Sequence, residues 1–409
     1  MNNSSLVLDK IPALRSKVYE LKHSELTEIQ QELIPLILEG KDALAIAKTG
    51  SGKTAAFALP ILQSLIDRFT TKSISPNKTK SLILTPTREL ASQTIRVFES
   101  YLTDELKEKF NLGVVFGGVS KTPQINFCNI GLDILVATPG RLLDLADDQH
   151  IEFDECEYLV LDEADMMLDM GFMADVERVL ELLPRKKQTT MLSATMPKGI
   201  ERLAENLLVK PIKVEVSKES STAENISQKL YTVEKADKPY LLNWVLEDDS
   251  LESVLVFCKT KFGAERIIED LEKTNISAQS LHSHKSQGAR EKSLAAFKNK
   301  EVRVLVATDI AARGIDIKKI DCVINYNLPE DPRSYVHRIG RTARAEEKGI
   351  AISFCVEAEV KLMKSIGKLI GEKVEVDSAQ PFHKEISFAY QKSAKEKRTI
   401  KLKKSRRKG

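Results

Sequence analysis

The chain has 409 residues, 42% hydrophobic and 30% charged, a length and balance that suit two compact domains of ordinary size. No stretch approaches the ~20 apolar residues that span a bilayer, and the first residues hold no basic segment followed by an apolar core, so a soluble protein inside the cell is expected, with the cytoplasm as its location. The formal charge of +3 is uneven: residues 391–409 hold ten Lys or Arg against one acid, a net +9 that leaves the remainder net acidic.

In chain order, the short apolar runs ALAIA (43–47), SLILT (81–85), DILVAT (133–138), YLVLD (158–162) and TTMLSAT (189–195) read as parallel strands buried on both faces. Stretches of helical period lie between several of them, at 54–69, 88–101 and 173–183. Strand alternating with helix predicts a doubly wound α/β domain. After residue 213 the sequence KVEVSKESSTAENISQK turns polar and loses its period, as a linker does. A second series follows in SVLVFC (253–258), VRVLVAT (302–308), CVINYNL (322–328) and GIAISFC (349–355). Two tandem doubly wound parallel-sheet domains are therefore expected over 1–213 and 226–365. A linker is expected at 214–225, and an extension at 366–409 with a basic, disordered end.

The five cysteines, Cys128, Cys156, Cys258, Cys322 and Cys355, show no C-x-x-C spacing, and three lie in apolar runs, so reduced core thiols are expected. His282 and His284 stand two apart with no cysteine or acidic partner pattern, and no zinc is expected.

Three constellations carry chemistry. AKTGSGKT (47–54) follows a strand and opens a helical stretch. Its glycines let backbone wrap phosphates, the helix start offers free N–H donors, Lys53 reaches the outer phosphates and Thr54 can ligate magnesium. Asp162 and Glu163, in DEAD (162–165), end another strand, where one carboxylate can hold Mg²⁺ through water and its neighbour can deprotonate an attacking water. Together these predict a nucleoside triphosphatase. In HRIGRTAR (337–344), a continuous helix would set His337, Arg341 and Arg344 on one face, two guanidiniums aimed at a phosphate cleft; a solvated basic helix is the alternative.

With these motifs in hand, the chain resembles the DEAD-box RNA helicases, superfamily 2 enzymes with two RecA-like domains. The ordered series is Gln30 in LTEIQ, AKTGSGKT, PTREL (86–90), Gly117-Gly118, TPGR (138–141), DEAD, SAT (193–195), VFCKT (256–260), Gln287 to Arg290, ATDIAARGID (307–316) and HRIGRTAR. The match covers roughly residues 6–356. The resemblance implies that Gln30 reads the adenine edge and that Thr49, Gly50, Ser51, Gly52, Lys53 and Thr54 cradle the triphosphate. It gives Mg²⁺ to Thr54 and Asp162, largely through water, and activation of water to Glu163. Arg341 and Arg344 become arginine fingers, and Asp316 touches the ribose. Ser193 and Thr195 couple hydrolysis to domain movement. Pro86, Thr87, Arg88, Gly118, Thr138, Gly140, Arg141, Arg290 and Thr308 line an RNA path against sugar and phosphate, which fixes register without reading bases.

Where the family's adenine segment carries a glycine–aromatic pair and two prolines, this chain has Lys22-His23, Leu26 and Glu28, and His23 is expected to stack on adenine instead. Ala47 replaces the first glycine of the phosphate loop, His284 an acid and Ala343 a glycine. The resemblance implies ATP hydrolysis coupled to RNA binding and local duplex unwinding or ribonucleoprotein remodelling. The expected cofactors are ATP and Mg²⁺, the expected state a monomer, and ribonucleoprotein proteins the further partners. An ATP-gated RNA clamp with slow turnover is the alternative, and a DNA-translocating motor a second rival. The basic tail is expected to tether RNA, with a solubility tail or a protein-docking tail as alternatives.

Overall fold

Successive side chains of a buried strand face opposite layers, and both layers here are apolar. Ile83 joins one core while Leu82 and Leu84 join the other; Ile134 and Val136 oppose Leu135 and Ala137 in the same way. The computed structural model describes residues 3–47, 50–68, 78–216, 226–312, 320–342 and 349–388.

The first sheet holds β1 (Ala43–Ile46), β2 (Thr79–Leu84), β3 (Leu112–Val115), β4 (Leu132–Ala137), β5 (Tyr158–Leu161), β6 (Gln188–Ser193) and β7 (Ile212–Glu215). Its order is β3-β4-β2-β5-β6-β1-β7, every pairing parallel. The second holds β8 (Ile226–Thr232), β9 (Val254–Cys258), β10 (Ala278–Leu281), β11 (Val304–Thr308), β12 (Cys322–Asn325) and β13 (Gly349–Cys355), ordered β10-β11-β9-β12-β13-β8, again all parallel. The chain forms two compact units, one around each sheet. The expected helical stretches are helices at Lys53–Arg68, Arg88–Tyr101 and Met173–Leu182. Thr87 starts the second of these by accepting a hydrogen bond from Leu90 N at 3.2 Å.

Two expected boundaries fall inside ordered structure. Residues 214 and 215, assigned to the linker, belong to β7, where Val214 is buried and pairs with Ala45. The strand reads as polar because Ile212, Lys213 and Glu215 are exposed on this sheet edge. Residues 217–225 lie outside the described residues. At the other end, helix Val360–Ile370 crosses the boundary expected at 365. Residues 374–384 then lie along β8: Val376 bridges Leu230, buried Gln380 donates to Thr232 O at 3.0 Å, and Lys384 N donates to the same oxygen at 3.0 Å. The extension through residue 388 is thus described with the second unit, and the basic segment 391–409 lies outside the described residues.

All five cysteines are buried free thiols, and burial pushes each up to about 12. Among the described residues no helix is long and apolar enough to cross a membrane.

Candidate active site

Strands β5, β6 and β1 are neighbours, so the loops leaving their carboxyl ends meet at one edge of the first sheet, where ligands bind in open parallel sheets. The phosphate loop leaves β1 beside β6, with Ala47 N still donating to Ser193 O at 3.1 Å. Gly50 and Gly52 adopt φ of 85° and 92°, which turns the chain back into helix Lys53–Arg68. A Cβ on Gly52 would stand 2.5 Å from Gln30 Nε2, which itself donates to Gly52 O at 3.1 Å. Gln30 Oε1 accepts from Thr27 N at 3.0 Å, so the amide ties the start of helix Glu28–Leu38 to the phosphate loop. Ser51 Oγ is buried without a hydrogen-bond partner among the described residues, and Thr54 is half-buried. Lys48 and the expected cofactor residue Thr49 lie outside the described residues.

Lys53 is buried and held between Glu163 Oε1 and Ala47 O, each at 2.9 Å. Burial, the largest single influence, pulls its ammonium down, but the carboxylates of Glu163, Asp162 and Asp165 outweigh it and leave the group raised. Glu163 sits in the left-handed region at φ 52° and ψ 51°, unusual for a residue with a Cβ and a mark of local strain. Asp162 is buried with Oδ1 unpartnered among the described residues. Burial pushes its carboxyl up, to about 7, and repulsion from Glu163 adds to this against the pull of Lys53.

Asp165, the last acid of DEAD, was given no separate role by the sequence. Its Oδ2 accepts from Thr195 N and Thr195 Oγ1, both at 2.9 Å, while Ser193 Oγ donates to Thr195 O at 2.7 Å. The two expected coupling residues are thereby joined to the acidic loop through a buried carboxylate.

The other half of this sheet edge belongs to β2, β4 and β3. Pro86 and Thr87 are buried after β2, and Arg88 packs against Gly118, whose φ of 78° leaves no room for a Cβ beside the guanidinium. Thr138 follows β4, with its N–H on Val115 O at 3.0 Å, and Gly140 is exposed at the start of helix Pro139–Asp147. Arg141 gives one N–H to Val119 O at 3.2 Å, while its Nε and Nη1 make no hydrogen bond among the described residues, Nε lying 3.6 Å from Asp144 Oδ2. The sheet order therefore separates the phosphate-loop set from this polar rim. His23 is exposed at the adenine-segment position, and its Nδ1 lies 3.0 Å from Tyr101 Oη.

In the second unit Arg290 is buried on helix Gln287–Lys298, and Thr308 is half-buried at the end of β11. The expected single helical face of HRIGRTAR is corrected: the helix is Pro332–Ile339, Gly340 caps it, and Arg341 lies beyond its end. Arg344 and Asp316 lie outside the described residues. Arg338, not singled out in the sequence, is the buried arginine of the motif; it forks onto Asp309 at 2.5 and 2.7 Å and donates to Asn325 Oδ1 and Asn327 O.

Residues 27–203 match the family model described as DEAD/DEAH box helicase, and residues 237–346 the helicase conserved C-terminal domain. The DEAD-box ATP-dependent RNA helicase RhpA of Helicobacter pylori is 38% identical over 367 residues, spanning 88% of this chain and 71% of that protein. This chain belongs to the DEAD-box family of ATP-dependent RNA helicases. The family also includes the ATP-dependent rRNA helicase rrp3 of Aspergillus terreus, 39% identical over 369 residues that cover 90% of this chain and 80% of rrp3. Among solved structures, S. cerevisiae Dbp5 bound to RNA and ADP BeF3 matches with a TM-score of 0.75 at 29% identity, covering 89% of this chain and 92% of that one. The two sheets are thus the tandem RecA-like domains of the family.

Proposed function

We propose that this helicase hydrolyses ATP at the β1–β5–β6 edge and spends the resulting states on binding and locally separating RNA strands. The observation that carries the reading is the buried Lys53–Glu163 ion pair next to the Asp162 Oδ1, which accepts no hydrogen bond among the described residues. In this pair the base is occupied. Arriving phosphates offer Lys53 a stronger partner, and its move toward them frees Glu163 to accept a proton. Water oxygen then bonds to the γ-phosphorus, the bond to the β-phosphate bridging oxygen breaks, and Glu163 takes the water proton. Asp162 and Thr54 fit a hard divalent cation held largely through water, and Mg²⁺ there would neutralise charge between the outer phosphates. Arg341 and Arg344 serve as arginine fingers supplied by the second domain, and Asp316 contacts the ribose. Gln30 reads adenine from its place on the phosphate loop, with His23 alongside.

Thr195 and Ser193, tied to Asp165, relay the change at Glu163 to the RNA-binding states. RNA runs over the rim formed by Pro86, Thr87, Arg88, Gly118, Thr138, Gly140 and Arg141, and over Arg290 and Thr308. Arg141 supports this with buried donors that a phosphate would satisfy. Such backbone contacts make binding mostly independent of sequence. The helicase acts as a cytoplasmic monomer with ribonucleoprotein proteins as further partners, and the +9 segment 391–409 adds phosphate attraction.

The test is ATP turnover by the full chain with RNA or DNA of one sequence, for wild type and Glu163→Gln. RNA alone should stimulate the wild type. The variant should lose about 10²–10⁴-fold in rate and still bind ATP and RNA, because the amide keeps the shape and loses the basicity. Near-normal turnover in Glu163→Gln removes that residue from the base role.

A further inference from the structure

At the carboxyl edge of the second sheet stands an aromatic ring largely open to solvent. Phe262 is 76% exposed, and the largest apolar side chains are normally the ones folding removes from water. It lies in the first turn of helix Lys261–Glu272, which follows β9 after Lys259 and Thr260. The neighbourhood is cationic: Lys261 Nζ lies 5.0 Å from the ring centroid, and the same ammonium contacts the His284 imidazole. His284 belongs to the loop between β10 and helix Gln287–Lys298, the helix that carries Arg290, and Cys258 at the end of β9 pairs in register with Thr308.

The ring's mounting is rigid. Thr260 Oγ1 accepts from Gly263 N at 3.0 Å and fixes the helix start. One turn on, Glu265 Oε1 accepts from Ser280 Oγ at 2.6 Å and contacts buried His282, which fastens the helix to the end of β10. An exposed ring held on an anchored first turn beside the Lys261 ammonium is built like the platforms on which single-stranded bases stack, where the cation takes the phosphate and the face takes the base.

We infer that Phe262 is a base-stacking residue for single-stranded RNA, with Lys261 engaging the adjacent phosphate. Stacking suits every base, so the contact adds affinity for unpaired nucleotides without a sequence preference. It favours strands already separated over paired ones, whose bases are stacked on each other. The inference rests on RNA passing Arg290 and Thr308.

The experiment uses the full chain with a saturating non-hydrolysable ATP analogue and a short single-stranded RNA, and compares wild type with Phe262→Ala, Phe262→Leu, Phe262→Trp and Arg290→Ala. Alanine and leucine should each weaken RNA affinity about five- to tenfold, toward the lower end of what one base–aromatic contact supplies, while Trp keeps it. RNA should quench the fluorescence of Phe262→Trp beyond the response of the wild type's one tryptophan, Trp244, and an abasic ribose-phosphate strand should not. Wild-type affinity in Phe262→Ala, full affinity in Phe262→Leu, or equal quenching by the abasic strand overturns the stacking role. If Arg290→Ala weakens RNA while Phe262→Ala does not, the RNA path stands and the stacking contact falls. If neither weakens it, the path itself is displaced from this edge and the inference goes with it.

Discussion

Gly52 shows how one residue's requirement is set by another far off in sequence. Its φ of 92° and the Gln30 amide leave no space for a methyl group, so Gly52→Ala must strain the backbone and push Gln30 off the loop. Backbone strain of this kind costs ~1–3 kcal/mol, and ATP affinity should fall about tenfold or more with the far-UV circular dichroism unchanged; titration calorimetry with ATP reads both the loss and its absence. Thr195→Val keeps the backbone N–H on Asp165 and deletes the hydroxyl bond. RNA-stimulated hydrolysis should survive within severalfold, while the ATP consumed per duplex separated rises. An unchanged ratio would take Thr195 out of the coupling. Lys53, Asp162 and Glu163 could be picked out in the sequence because residue type and spacing encode what phosphate and water need. Asp165 could not be given its role that way, since its partner lies thirty residues on and only the pairing of β5 beside β6 joins them.

Elements were legible where both faces of a strand are buried, as in β2, β4 and β9, whose apolar runs stand out unbroken. The edge strand β7 was not: with Val214 alone turned inward, it reads as the start of a polar linker. The end of helix Pro332–Ile339 was also missed. The spacing of His337, Arg341 and Arg344 suits a continuous helix, but Gly340 stops it, and Arg338 instead turns in to Asp309 and the end of β12. Removing one partner from a buried ion pair strands the other, so Arg338→Ala should destabilise the second unit by about 3 kcal/mol and lower its melting temperature by about 6–12 °C. Arg338→Lys should recover little, because an ammonium cannot fork onto both Asp309 oxygens. A melting curve that superimposes on wild type would show that Arg338 serves ligand binding and not the fold.

At the scale of the whole molecule, charge is divided between a net acidic body and the basic segment 391–409. Truncation before Lys392 should weaken RNA affinity at low salt and flatten its dependence on salt, because fewer counterions are released, while ATP turnover at saturating RNA stays near wild type. Superimposable salt plots for the full and shortened chains would rule out an RNA tether. The central claim is that ATP turnover at the Lys53–Asp162–Glu163 site drives repeated strand separation. It is tested most directly by giving the full chain an excess of a short labelled RNA duplex with ATP and counting strands released per protein molecule, for wild type, Glu163→Gln and Arg341→Ala. Wild type should release many strands per molecule, Glu163→Gln no more than about one, and Arg341→Ala should turn over about 10³-fold or more slowly. Repeated release by Glu163→Gln at the wild-type rate would contradict the account.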